Sequence, residues 1–296
     1  MARPERDTRA IPTSTASSTR FTVTRTTSLW RVTFDNPPIN LIDPMMIVEL
    51  HRLLDEIEGD NQVAVVLFES ADPDYFLAHY DILADATPFE ALPPVANRNY
   101  HWTNVLNRLS KSPAATISAI RGRARAAGSE LVLATDIRFA SRERAILGQF
   151  EVGFAAVPGG GPSTRLPVIV GRGRAFEILL GGDDFDGELA ERYGYVNRAI
   201  PDNEFVEFVD AFAERVSRFD LLALAGIKRF VNNTSLPDGT LTAEMDAFTE
   251  AIARPATQSI VAKAIVEGFQ QRSDLELNFG AYIGNVGYDP ATLSTR

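Results

Sequence analysis

Six consecutive apolar residues, Val63-Ala-Val-Val-Leu-Phe68, do most to constrain what this chain can fold into. An unbroken run of that length, closed by Asp72-Pro73, reads as a strand buried inside a core. Ala114-Ala-Thr-Ile-Ser-Ala-Ile120 and Ile137-Arg-Phe-Ala read as further strands, with helical stretches between them. Upstream, Phe21-Thr-Val-Thr-Arg and Leu29-Trp-Arg-Val-Thr-Phe34 alternate apolar and polar residues around a Thr-Thr-Ser turn, the pattern of a hairpin. Asn36-Pro37-Pro38 stops the second strand, and Asp43-Pro44 opens a helix as N-cap and first-turn proline. On that helix Met46, Val48, Leu50, Leu53, Leu54 and Ile57 form a broad apolar stripe. The alternation of strand and helix predicts an α/β core.

From about Pro201 the pattern changes. Phe205, Phe208, Val209, Phe212 and Val216 share one helix face, and further helical segments run near 219–231, 242–254 and 257–272 without a strand among them. The expected organisation is a tail over 1–20, an α/β body over 21–200, a helical C-terminal segment over 201–285 and a second tail over 286–296. The helical segment could pack on a neighbouring subunit.

Composition removes several function classes. The chain has 296 residues, 45% of them hydrophobic, enough for a large core. It lacks the ~18-residue apolar run of a membrane span and the ~7–15-residue apolar stretch of a signal peptide, so a cytoplasmic protein is expected. There is no cysteine, which leaves three histidines, His51, His79 and His101, in no metal-binding spacing; no metal is expected. A net charge of −10 argues against nucleic acid as partner.

Two glutamates, each behind small residues, carry the chemistry. Glu130 follows Gly122-Arg-Ala-Arg-Ala-Ala-Gly-Ser129, and Glu151 stands in Leu147-Gly-Gln-Phe-Glu-Val-Gly-Phe154 ahead of Pro158-Gly-Gly-Gly-Pro162. A carboxylate pair beside exposed backbone N–H groups suits proton transfer next to a carbonyl. The turn at Ala126-Ala127-Gly128 could form half an oxyanion hole with Glu130 one turn into a helix. It could equally be a tight strand–helix connection with an exposed glutamate. Glu151, between Phe150 and Val152, is expected to be at least partly buried, and burial raises a carboxyl pKa. A third stretch, Tyr75-Phe-Leu-Ala-His-Tyr-Asp-Ile-Leu83, runs through His79 toward an expected helix and can expose further N–H groups. Pro158-Gly-Gly-Gly-Pro-Ser-Thr-Arg165 lacks the lysine and spacing of a phosphate loop and reads as a turn feeding a helix near Pro162.

In this order the segments resemble the enoyl-CoA hydratase/isomerase (crotonase) superfamily over about Phe21 to Phe269. Asn36-Pro-Pro-Ile-Asn-Leu-Ile-Asp43 is similar to the family's early N-x-P…N-x-L segment, Phe76-Leu-Ala-His-Tyr-Asp-Ile82 to F-x-A-G-A-D-[IL], and Gly122 to Glu130 to G-x-[AC]-x-G-G-G-x-E. The resemblance implies a spiral of ββα turns closed by C-terminal helices, usually in trimers or pairs of trimers. It implies an acyl-CoA thioester as substrate, with coenzyme A entering as part of that substrate and no separate cofactor. By the same resemblance Tyr80 and Ala127 supply the oxyanion N–H groups and Glu130 and Glu151 are the two acids. Ile39, Asn40, Leu41, Ala78, Asp81 and Ile82 contact substrate or CoA. The implied reaction is hydration of a 2-enoyl-CoA. A double-bond isomerase using Glu151 alone, a hydrolase, or a non-catalytic scaffold are the alternatives. The chain departs from the pattern at His79 and Tyr80, which replace a glycine and a small residue, at Ala126 and Ala127, which replace glycines, and at the polar Arg123 and Arg125.

Overall fold

A computed structural model describes residues 20–232 and 240–285. The tails expected over 1–20 and 286–296 therefore lie outside the described residues, apart from Arg20. Among these residues ten strands form two sheets. They are β1 (Phe21–Arg25), β2 (Leu29–Phe34), β3 (Val65–Ser70), β4 (Tyr75–Leu77), β5 (Ala115–Ile120), β6 (Arg123–Arg125), β7 (Ile137–Ser141), β8 (Ile146–Gly148), β9 (Asp184–Asp186) and β10 (Arg198–Ile200). The larger sheet has the order β1-β2-β3-β5-β7-β10 and the smaller one β4-β6-β8-β9. Consecutive strand pairs β3/β4, β5/β6 and β7/β8 each place one strand in each sheet, so the chain climbs as a spiral of ββ turns. All neighbours in the larger sheet are parallel except the β1–β2 hairpin.

The helices before Ile200 are α1 (Pro44–Gly59), α2 (Tyr100–Lys111), α3 (Ala127–Ala134), α4 (Pro162–Val170), α5 (Arg172–Gly181) and α6 (Gly187–Tyr193). Asp43 caps α1 by accepting from the Met46 N–H at 2.7 Å, and the apolar stripe read from sequence is its buried face. After Ile200 every described element is helical: α7 (Asp202–Val216), α8 (Leu221–Asn232), α9 (Thr240–Ile252), α10 (Pro255–Val266), α11 (Asp274–Leu277) and α12 (Phe279–Asn285). Phe205 and Val209 of α7 pack under the larger sheet with Val65, Ile117 and Phe139. Phe150 and Phe154 instead join Phe269, Phe279 and Ile283, so the last helices close over the smaller sheet.

One local expectation fails. The run through His79-Tyr80-Asp81 does not pass into a helix. The Asp81 N–H donates to the Ile42 carbonyl at 2.9 Å and its side chain accepts from the Leu83 N–H at 2.9 Å, which holds an extended bridge followed by an Asx turn. The next helix proper is α2.

Candidate active site

Three strand ends and the C-terminal helices enclose a cavity of about 120 Å³. Glu130, Glu151, Tyr80 and Ala127 all line it, so the structure brings together the two acids and both N–H positions read from sequence. Its roof comes from Met245, Phe248 and Ile252 of α9, Val261 of α10 and Phe269 beyond it.

Glu130 sits in the first turn of α3, a helix with every residue buried. The β6–α3 junction is tight enough that a Cβ on Gly128 would lie 2.0 Å from the Leu77 carbonyl oxygen, so only glycine fits there. Ala126 takes φ +44°, a left-handed conformation costly for alanine and imposed by the same crowding. The reading of Glu130 as an exposed glutamate is thereby excluded: it is 4% exposed. One carboxylate oxygen accepts from the Trp102 indole N–H at 2.6 Å and the other from the Gly160 N–H at 2.7 Å. Burial pushes the carboxyl up to about 7, while the Trp102 and Gly160 donors pull it back down.

Glu151 opens a 3-10 turn, Glu151–Phe154, and is also buried. Gln149, its amide nitrogen toward the carboxylate, donates to both Glu151 oxygens at 3.1 Å and accepts from Ser129 Oγ at 2.9 Å. Ser129 Oγ in turn pairs with the Tyr195 hydroxyl at 2.5 Å. Burial first, and the Glu130 charge second, raise the Glu151 carboxyl well above its ordinary range. Both carboxyls are thus shifted upward by burial, and each is held by different hydrogen-bond partners. The backbone N–H groups of Tyr80 and Ala127 have no hydrogen-bond partner among the described residues. Ala127 gains its free N–H from its place at the start of α3.

Other predicted contacts fall elsewhere. Of the six residues assigned to substrate or CoA, only Ile82 lines the cavity. Ile39, Leu41 and Ala78 are packed with Tyr75 and Leu277 in a small buried cluster. The Asn40 side chain is consumed by the scaffold, donating to Ser70 Oγ at 2.8 Å and accepting from the Asn36 N–H at 2.6 Å. Asp81 accepts from Gln270 Nε2 at 3.1 Å. Sequence reading missed Trp102, Gln149 and Glu244. Glu244 of α9 accepts from the Ser163 N–H at 2.8 Å and Thr164 Oγ1 at 3.0 Å, fastening the roof to the start of α4. No sequence signal marks Trp102 or Glu244, because their partners lie 28 and about 80 positions away along the chain. Among the described residues no group of three His, Asp or Glu side chains converges as a metal set would, and no helix is long and apolar enough to cross a membrane.

The sequence profile of the enoyl-CoA hydratase/isomerase family matches residues 24–269. A short-chain-enoyl-CoA hydratase from Clostridium acetobutylicum is 27% identical over 250 residues, 81% of this chain and 94% of that protein. The solved structure of a Streptomyces avermitilis protein, provisionally named an enoyl-CoA hydratase, superposes with a TM-score of 0.87 at 40% identity, covering 92% of this chain and 99% of that one. Pseudomonas aeruginosa OdaA superposes with a TM-score of 0.73 at 26% identity, covering 84% of this chain and 99% of its own. With its ββ spiral, paired buried glutamates and C-terminal helices, the chain belongs to the enoyl-CoA hydratase/isomerase family.

Proposed function

We propose that the protein hydrates a 2-enoyl-CoA to a 3-hydroxyacyl-CoA. The observation that carries the reading is the pair of buried carboxylates in one apolar cavity, held in unequal surroundings. The thioester oxygen lies against the Tyr80 and Ala127 N–H groups. Water attacks C3 as Glu130 takes its proton, and the π electrons of the double bond move onto that oxygen as an enolate. The enolate then collapses, and C2 takes the proton from Glu151. Each N–H aimed at the developing charge is worth ~3 kcal/mol of barrier. Coenzyme A acts here only as the handle of the substrate, and no other cofactor is needed.

Double-bond isomerisation by Glu151 alone is the second reading. It is favoured by the occupation of both Glu130 oxygens by Trp102 and Gly160. Each carboxylate oxygen has two lone pairs, so Glu130 retains room for one water, which keeps hydration ahead. Incubation with crotonyl-CoA in ¹⁸O-water tests the choice: label at the C3 hydroxyl supports hydration, and a shifted double bond without label supports isomerisation.

A homotrimer or a pair of trimers is the assembly this reading carries with it. Helix α8 buries no side chain in the single chain and leaves Leu222 84% exposed, with Ile227 and Phe230 beside it. An apolar face of that kind calls for a cover. Light scattering is expected to give a multiple of three chains, and a stable monomer at micromolar concentration contradicts it.

A further inference from the structure

Three of the positions at which this chain departs from its family's motifs meet one short segment. His79 Nε2 lies 2.8 Å from Glu276 Oε1. Arg125 donates to the Glu276 carbonyl at 2.7 Å, and Arg123 to the Leu277 carbonyl at 3.0 Å. The same segment reaches back: Gln270 donates from Nε2 to the Tyr80 carbonyl at 3.2 Å and from its N–H to Glu276 Oε1 at 2.6 Å. The His79 ring also stacks on Phe269 of the roof, centroids 4.4 Å apart and planes 11° off parallel.

We propose that His79 is a positioning residue: through Glu276 it fastens the Tyr80 turn to the chain's own C-terminal segment, so the oxyanion donor is aligned only when the roof is seated. The inference rests on the thioester reading of the site. The Tyr80 N–H shares its peptide plane with the His79 carbonyl, which accepts from the Ile42 N–H at 2.8 Å. The next plane is held by the Tyr80 carbonyl, which faces His79 Nδ1 at 3.1 Å as well as Gln270. Core and roof thus hold adjacent peptide planes, and the His79 side chain joins them. Both ring nitrogens lie within hydrogen-bond distance of a neighbour, Nε2 of the Glu276 carboxylate and Nδ1 of the Tyr80 carbonyl. His79 and Glu276 are both buried, at 2% and 0% exposed side chain, so separating them leaves a polar group stranded and the contact forms or breaks as a unit. Desolvation pushes the Glu276 carboxyl up, but His79, the Gln270 N–H and the Arg125 charge together leave it below its usual range.

The test uses the full chain with 2,4-hexadienoyl-CoA, whose absorbance moves to longer wavelength when its thioester carbonyl is polarised by hydrogen bonds. The variants are His79→Phe, which keeps the stacked ring, Glu276→Leu, and the double variant, in which no buried charge is left unpaired. The double variant is expected to recover the thermal stability lost by either single one. It should still lose most of the red shift and ~10- to 100-fold in kcat, with affinity for the thioester within ~3-fold of wild type. A double variant with the full red shift and wild-type kcat overturns the proposal and leaves His79 a packing residue. A wild type that binds the thioester with no red shift, or does not bind it, overturns the thioester reading itself. Should the single variants fail to fold, the double variant alone decides.

Discussion

The floor of the cavity is dense backbone: the Gly128 backbone lies against the Leu77 carbonyl, and a Cβ on Gly160 would sit 2.1 Å from a Glu130 oxygen. The roof is made of side chains on α9 and α10 that reach across from the far end of the chain and are tied down by Glu244 and Glu276. On the floor one added methyl group has nowhere to go. On the roof a side chain can be cut back and leave the fold standing. Chemistry should therefore be set by the floor, and substrate fit by the roof.

The sharpest way to break that division is Glu151→Gln, which removes the proton donor and keeps the volume. Turnover is expected to fall ~10³-fold or more while acyl-CoA affinity stays within ~10-fold, read from loss of enoyl thioester absorbance and from calorimetry. Near-normal turnover removes Glu151 from the chemistry.

The floor should also cost stability as pH rises. Glu130 binds its proton more tightly in the native state, at about 7, than in the unfolded chain, near the ordinary 4.5. Its contribution is fully favourable below the unfolded value and is lost as pH rises through the folded one, by no more than ~3 kcal/mol. Denaturant titrations at pH 5 and pH 8 should show the fall, and Glu130→Gln should flatten part of it. An unchanged slope in that variant contradicts the assignment.

Gly160→Ala comes next. Its Cβ would strike the Glu130 carboxylate, which Trp102 keeps from moving aside. A displacement of about 1 Å predicts a loss of ~10²-fold in kcat, together with a lower melting temperature from overpacking a buried site. Met245→Ala, on the roof, is the mildest. Shortening that side chain should raise KM ~10-fold for a four-carbon thioester with kcat nearly intact, the sign of lost uniform binding. A fall in kcat as large as that of Gly160→Ala would erase the contrast between floor and roof.

The same contrast explains what could be read from sequence. The floor is local: Gly128, Glu130 and Ala127 belong to one stretch, and each residue's role follows from its place at a helix start. The contacts that hold the site together are not local. Trp102 meets Glu130 across 28 positions and His79 meets Glu276 across 197, and neither residue type announces its partner. The hairpin, α1 and the long strands were legible because they are long enough to show a period. The three-residue strands β4, β6 and β8 build the second sheet but carry no periodic signal. Ala126 at φ +44° shows the limit from the other side, since a residue that disfavours the turn adopts it where the surrounding packing requires it.

Hydration requires a base for the water, and isomerisation by one carboxylate does not. The most direct measurement is therefore the partition of Glu130→Gln between the two reactions, followed in ¹⁸O-water with 2-enoyl- and 3-enoyl-CoA. Hydration, read as label at C3, is expected to fall ~10²–10⁴-fold, with any 3-enoyl to 2-enoyl isomerisation falling much less. A variant that hydrates at the wild-type rate, or a wild type that never incorporates label from C4 to C16 thioesters, would contradict the assignment of Glu130 as the base.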